Sequence, residues 1–195
     1  MDRSNGWDAI ADSFIAARSS AGVEVIRRWA AQLPPAASVI DVGCGTGDPV
    51  TRTLLDAGFR VSGIDASPRL ADEFRRRFPA CPVACEAAED SRYFDQTFDA
   101  GIAIGLVFLL AADTQEKVLR RIASAVDPGG RILFSAPEQP CQWRDTLTGQ
   151  ASISLGTDAY RAIMASAGWQ LQATDRDQGG NHYFSFTGAK APFIA

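Results

Sequence analysis

Apolar residues recur along the chain with two alternating periods. Trp7, Ile10, Phe14 and Ala17 stand at helical spacing, and Val25, Ile26 and Trp29 carry a second helical stripe after Gly22 until Leu33-Pro34-Pro35 stops it. The run "SVIDV" is then short, apolar and unbroken, as in a strand buried on both faces. A helix over "PVTRTLLDAG", closed by Gly58, leads to a strand over "FRVSGID". The unit repeats: Ser67 is placed to cap and Pro68 to open the helix "SPRLADEFRRRF", and "CPVAC" and "FDAGIAI" read as strands. From Thr114, the residues Val118, Leu119, Ile122, Ala125 and Val126 form an amphipathic helix, and "DPGG" turns the chain into the strand "RILFSAP". Residues 138–156 show no clear period. Thr157 is expected to cap a helix bearing Tyr160, Ile163, Met164 and Ala167, closed at Gly168. Two last strands, "WQLQATD" and "NHYFSFTG", pair as a hairpin around Gly179 and Gly180.

This alternation predicts an α/β fold: a doubly wound sheet of seven strands, mostly parallel with an antiparallel last strand, and helices on both faces. A length of 195 residues suits one domain, 1–195. The 46% apolar content and net charge of -4 fit a globular protein and argue against a general binder of nucleic acid. Arg75, Arg76 and Arg77 form the densest basic run, read as a solvated helix face without function. No window approaches the roughly 18 apolar residues a membrane span needs, so no membrane partner and a cytoplasmic location are expected. Cys44, Cys81, Cys85 and Cys141 contain no CxxC pair, and one histidine leaves too few ligands for zinc. They are expected to be reduced and mostly buried, with no metal bound.

Candidate chemistry concentrates in "VIDVGCGTGDP", where Gly43, Gly45 and Gly47 occupy the turn after the first strand. Glycine there permits positive φ and lets a ligand approach the backbone where a Cβ would collide. In such sheets ligands sit outside the carboxyl ends of the strands. The GxGxG spacing differs from the GxGxxG of dinucleotide sites and leaves less room for a pyrophosphate, which implies a smaller ligand. Asp65 ends the second strand, where a carboxylate can accept hydrogen bonds from both ribose hydroxyls. A nucleoside is the expected ligand.

Together, "VIDVGCGTGDP", "GIDAS", "FDAGIAIGLVFLL" and "DPGGRILFSAP", in this order, resemble the class I S-adenosylmethionine-dependent methyltransferase family, in its small type 11-like form with a Rossmann-like sheet. The resemblance runs from about Trp7 to the final strand. It implies S-adenosylmethionine as cofactor and S-adenosylhomocysteine as product. By the same resemblance, Gly43, Cys44, Gly45 and Gly47 would line the methionine and ribose, with Asp41 orienting the loop and Asp65 holding the ribose hydroxyls. Ala66 would lie against the adenine, and Ala88 and Glu89 would read it. This chain has Ala87 where the family often has Asp. Ile104 and Gly105 would present backbone near the sulfonium. Residues 1–33 resemble the family's lid, with Arg18 directed to the methionine carboxylate or lying over the surface.

The acceptor is expected to be a small molecule methylated on oxygen or nitrogen. Trp7 and Phe14 read equally as core or as wall of its pocket. His182, the side-chain type that titrates near neutrality, reads as structural or as a base or orienter beside Asn181 and Tyr183. Trp143 and Asp145, in the aperiodic 138–156 region, offer a wall and a polar contact, or belong to a self-packed loop. Two rivals stand beside this reading: a nicotinamide-dependent oxidoreductase and a non-catalytic protein that keeps the fold for binding. The oligomeric state is not specified by the sequence.

Overall fold

A computed structural model describes residues 3–17 and 19–189. Two helices, α1 (Ala11–Ala17) and α2 (Val23–Ala30), precede β1 (Ser38–Val42), α3 (Val50–Asp56), β2 (Arg60–Asp65), α4 (Pro68–Arg77) and β3 (Val83–Cys85). The chain continues through β4 (Phe98–Ala103), α5 (Ala112–Ala125), β5 (Val126–Ser135), β6 (Cys141–Arg144), β7 (Ala151–Ser154), α6 (Thr157–Ser166), β8 (Trp169–Arg176) and β9 (His182–Gly188). Seven strands form one sheet in the order β3-β2-β1-β4-β5-β9-β8. β9 runs antiparallel to both neighbours, and the remaining pairs are parallel, as the alternation of elements predicts.

Burial on both faces explains why the strands read as unbroken apolar runs. Along β1, Val39 packs with Val25, Ile26 and Trp29 of α2, whereas Ile40 packs in the opposite cluster with Ile122 of α5. Both side chains are fully buried, and each such burial is worth about 1.5–3 kcal/mol. Ser67 caps α4 as expected, its hydroxyl accepting the Leu70 amide at 3.2 Å with Pro68 in the first turn. The β1–β4 crossover reverses the winding direction between β1 and β4, which opens a crevice above their carboxyl ends.

Several local expectations change. Residues 138–156 hold a hairpin, β6 with β7, whose register pairs Trp143 with Ser152. Its inward positions on β7 are Ser152 and Ser154, so no apolar alternation betrays it. Thr157 does not cap α6. It is the first helical residue, and its hydroxyl donates to the Glu138 carbonyl, while Gly156 takes the cap position. The "DPGG" segment lies within β5 rather than ahead of it. Trp7 and Ile10 lie in turns before α1, which is shorter than its spacing suggests. Of the cysteines, Cys44 is buried but Cys85 and Cys141 are exposed, against the expectation of mostly buried thiols. Arg75, Arg76 and Arg77 each meet a carboxylate, those of Asp72, Glu73 and Glu73 with Asp48 respectively.

Candidate active site

The turn after β1 is held from both sides. The Gly43 and Cys44 amides donate to the Ile64 carbonyl at 2.8 and 3.0 Å, which lays the turn over the end of β2. Asp65 completes the clamp: its Oδ2 accepts the Gly45 amide at 2.7 Å and its Oδ1 the Ser67 amide at 2.8 Å. Burial pushes the Asp65 carboxyl above the usual aspartate range; the two amides oppose this in part, and Asp8 adds to it. Asp41 stands behind the turn, buried, accepting the Thr51 hydroxyl at 2.7 Å and so tying β1 to α3.

The three glycines serve different ends. A Cβ on Gly45, at φ +54°, would point at the Phe14 ring 3.1 Å away, above the turn. One on Gly47, at φ +82°, would enter the Phe78 and Phe74 rings beneath it. Gly47 is therefore a packing glycine, and it does not line the cleft. The Cys44 side chain also packs below, with Phe74 and Phe78. Burial raises its thiol well above the ordinary range, and Asp41 and Asp65 add to the effect, so it is no nucleophile.

A cavity of about 360 Å³ opens beside this turn, lined by Gly43, Cys44, Gly45, Asp65, Ala66, Ala88, Glu89, Ile104 and Gly105 among others. Its far wall comes from the N-terminal segment, with Arg3, Ser4, Asn5, Trp7 and Phe14. That segment is docked by polar contacts the sequence did not signal. Asp8 Oδ1 accepts the Ser67 hydroxyl at 2.7 Å and the Arg69 amide at 2.9 Å at the N-terminus of α4, where a carboxylate is favoured. Arg69 reaches Asp12, and Arg3 pairs with Asp90 and Glu89. Glu89 thus lies at the cavity with its carboxylate 3.5 Å from Arg3.

A second cavity, about 480 Å³, adjoins the first. Trp7, Phe14, Ile104 and Gly105 line both. Trp143, Asn181, His182 and Tyr183 line the second, so segments far apart in sequence meet here. The strand begins at His182, which lets Asn181 and Tyr183 fold back onto Asp177: Asn181 Nδ2 donates to Oδ2 at 2.9 Å and the Tyr183 hydroxyl at 2.7 Å. Burial alone would raise Asp177, but these bonds and the Asn181 and Gly179 amides outweigh it and hold the carboxyl below its usual range. Asp145 does not join the cavity. Its Oδ1 accepts the Leu147 and Thr148 amides and the Thr148 hydroxyl, closing the β6–β7 turn. Arg18 lies outside the described residues.

A model of the family described as "Methyltransferase domain" matches residues 39–130, which span the glycine turn, Asp65 and the end of β4. Residues 39–130 thus belong to the methyltransferase-domain family. Among curated relatives, an O-methyltransferase of Penicillium expansum is 27% identical over 165 residues, covering 77% of this chain and 59% of the relative. A tRNA U34 carboxymethyltransferase of Campylobacter curvus is 30% identical over 146 residues, covering 72% and 48%. The chain thus spans 48% to 59% of these relatives' lengths. The fold matches 1,6-didemethyltoxoflavin-N1-methyltransferase of Burkholderia thailandensis, solved with 1,6-didemethyltoxoflavin and S-adenosylhomocysteine, at TM-score 0.76 and 17% identity over 96% of this chain and 87% of that one.

The first cavity suits the cofactor of this methyltransferase family. A carboxylate offers about four lone-pair sites, and the Gly45 and Ser67 amides use two, so Asp65 can still accept from two ribose hydroxyls. Ala66, Ile64, Leu70 and Ala88 give an apolar slot for a purine. Gln115, which no sequence pattern singled out, supports the other cavity. Buried on α5, it donates to the Leu110 and Ile153 carbonyls at 2.8 Å and accepts the Tyr160 hydroxyl at 2.9 Å, pinning the hairpin that carries Trp143. No helix is long and apolar enough to cross a membrane among the described residues.

Proposed function

We propose that the protein transfers a methyl group from S-adenosylmethionine to an oxygen or nitrogen of a small molecule. The observation that carries this reading is the junction of the two cavities at Ile104 and Gly105, with Trp7 and Phe14 on the facing wall. When bound, S-adenosylmethionine supplies a methyl already activated on a sulfonium. What remains for the chain is to align the nucleophile and exclude water.

In this reading Asp65 holds the ribose, the Gly43–Gly45 backbone passes under the ribose and methionine, and Ala66, Ala88 and Glu89 border the adenine. Ile104 and Gly105 face the sulfonium. Gly105 is held there by its amide, which donates to Ser135 Oγ at 2.8 Å. Residues 1–33 act as the lid, Arg18 included, and the whole chain works as one domain. Trp143, Asn181, Tyr183 and His182 surround the acceptor, with His182 as base or orienter. A second cavity of about 480 Å³ and a net charge of -4 favour a small acceptor over nucleic acid.

The reading is tested with methyl-labelled S-adenosylmethionine and a metabolite library, following label into product. With an acceptor in hand, Trp143→Ala and His182→Ala should each lower turnover by at least about tenfold with little change in cofactor affinity. Wild-type turnover in both variants would place the acceptor elsewhere. Label transfer to tRNA but to no small molecule would favour the nucleic-acid substrate instead.

A further inference from the structure

The second cavity is unusual in what it lacks. Five aromatic side chains line it, Trp7, Phe14, Phe108, Trp143 and Tyr183, and among the described residues no Lys, Arg, Asp or Glu does. Trp7 meets Phe14 edge-on at 5.3 Å, and Phe108 lies tilted against Trp143 at 5.4 Å, giving two aromatic pairs. Such walls favour a flat, apolar ring. Carboxylates back the polar end: Asp177 sits behind Asn181 and Tyr183, and Glu138 stands beside His182. Arg176, a guanidinium on that side, is 3.8 Å from Glu138 and paired with it. An anionic acceptor would have two carboxylates behind the polar end of the cavity and no cation in its lining among the described residues.

Glu138 Oε2 lies 3.4 Å from His182 Nδ1. Catalytic contacts are often long in ligand-free structures and tighten on binding. A carboxylate that closes on Nδ1 would hold the proton there and leave Nε2 as the acceptor. His182 is also joined to the site's frame: its carbonyl accepts the Ala136 amide, and Ser135, one residue earlier, holds Gly105. Gly105 and His182 thus lie at the ends of β4 and β9, about two strand spacings or roughly 10 Å apart, a gap that a cofactor methyl and an imidazole can bridge from either side.

Resting on the methyltransferase reading, we propose that the second cavity takes an uncharged, planar aromatic acceptor bearing a hydroxyl, which His182 deprotonates while Glu138 positions the imidazole. The aryl O–H bond breaks, and its proton passes to His182 Nε2. The acceptor oxygen forms the new O–CH3 bond as the S–CH3 bond breaks, and that electron pair stays on sulfur as the neutral thioether. The positive charge lost by the sulfonium appears on the imidazolium, where Glu138 stabilises it. Glu138 is a positioning residue, since it acts through His182.

The test uses the full chain with S-adenosylmethionine, 2-naphthol, its charged counterpart 2-naphthoate bearing a hydroxyl, and the saturated alcohol decahydro-2-naphthol. S-adenosylhomocysteine binding is measured first by calorimetry. Methyl ether should form from 2-naphthol at least about tenfold faster than from either counterpart, a gap of about 1.4 kcal/mol. Glu138→Gln should lower kcat with KM unchanged. Across naphthols of graded acidity, His182→Ala should favour the most acidic far more steeply than the wild type does, a trend that loss of structure alone would not produce. Retained S-adenosylhomocysteine binding with no reaction of 2-naphthol, or preference for the carboxylate or the saturated alcohol, would overturn the proposal while leaving the methyltransferase reading intact. No S-adenosylhomocysteine binding would overturn both.

Discussion

The Asp65 carboxylate accepts the Gly45 amide at 2.7 Å across 20 residues of sequence, so the end of β2 fixes the shape of the turn after β1. Asp65 orients the turn, and in the proposed reading its remaining lone pairs serve a ribose. Asp65→Ala should weaken S-adenosylhomocysteine binding by about 1.5–3 kcal/mol, the worth of hydrogen bonds to a charged acceptor. Calorimetry on folded protein checks this, and unchanged affinity would remove Asp65 from the site.

The opposed environments of Gly45 and Gly47 separate binding from folding. Gly45→Ala pays for a left-handed side chain, about 1–2 kcal/mol, and pushes on the Phe14 ring at 3.1 Å, so it should weaken binding by about tenfold or more, 1.4 kcal/mol. Gly47→Ala drives a methyl to 2.4 Å from Phe78, so overpacking of about 1–3 kcal/mol adds to the backbone strain. It should lower the urea midpoint more than Gly45→Ala does, while its folded fraction binds normally. The reverse ranking in melts and titrations would contradict this division.

The raised Asp65 pKa carries a pH signature. Burial, the largest influence, favours the protonated acid, so the neutral form persists to higher pH than in an ordinary aspartate. Ribose hydroxyls need the ionised form as acceptor. S-adenosylhomocysteine affinity should therefore fall as pH is lowered, beginning above the ordinary aspartate range, and Asp65→Ala should lose this trend. Titrations across acidic pH in both proteins check it, and identical profiles would contradict it.

Gln115 predicts an effect confined to the second cavity. Gln115→Leu takes a donor from the Leu110 and Ile153 carbonyls and an acceptor from the Tyr160 hydroxyl, which keeps the Leu155 amide, at about 1–3 kcal/mol for a buried group left unsatisfied. Hydrogen exchange in β6 and β7 should accelerate while S-adenosylhomocysteine affinity holds. Unchanged exchange there would show that the hairpin is anchored by other contacts.

Much of this architecture is legible in the sequence where burial on both faces writes unbroken apolar runs, as in "SVIDV", and where Ser67-Pro68 opens a helix. The hairpin at 141–154 escapes because Ser152 and Ser154 occupy its buried positions. In the glycine turn, spacing alone does not distinguish Gly45, which faces the cleft, from Gly47, which faces the Phe74–Phe78 core; only the direction of the missing Cβ does. Asp145 has the right chemistry for a site, yet an Asp two residues before the amides of a tight turn caps that turn. Asp8, Glu138 and Asp177 carry no local pattern, because each acquires its role from a partner brought close by the fold.

The most direct measurement is equilibrium titration of the wild-type chain with S-adenosylhomocysteine and, separately, with NADH. Saturable one-site binding of S-adenosylhomocysteine, weakened by Asp65→Ala, is expected, with no binding of NADH. Saturable NADH binding without S-adenosylhomocysteine binding would contradict this.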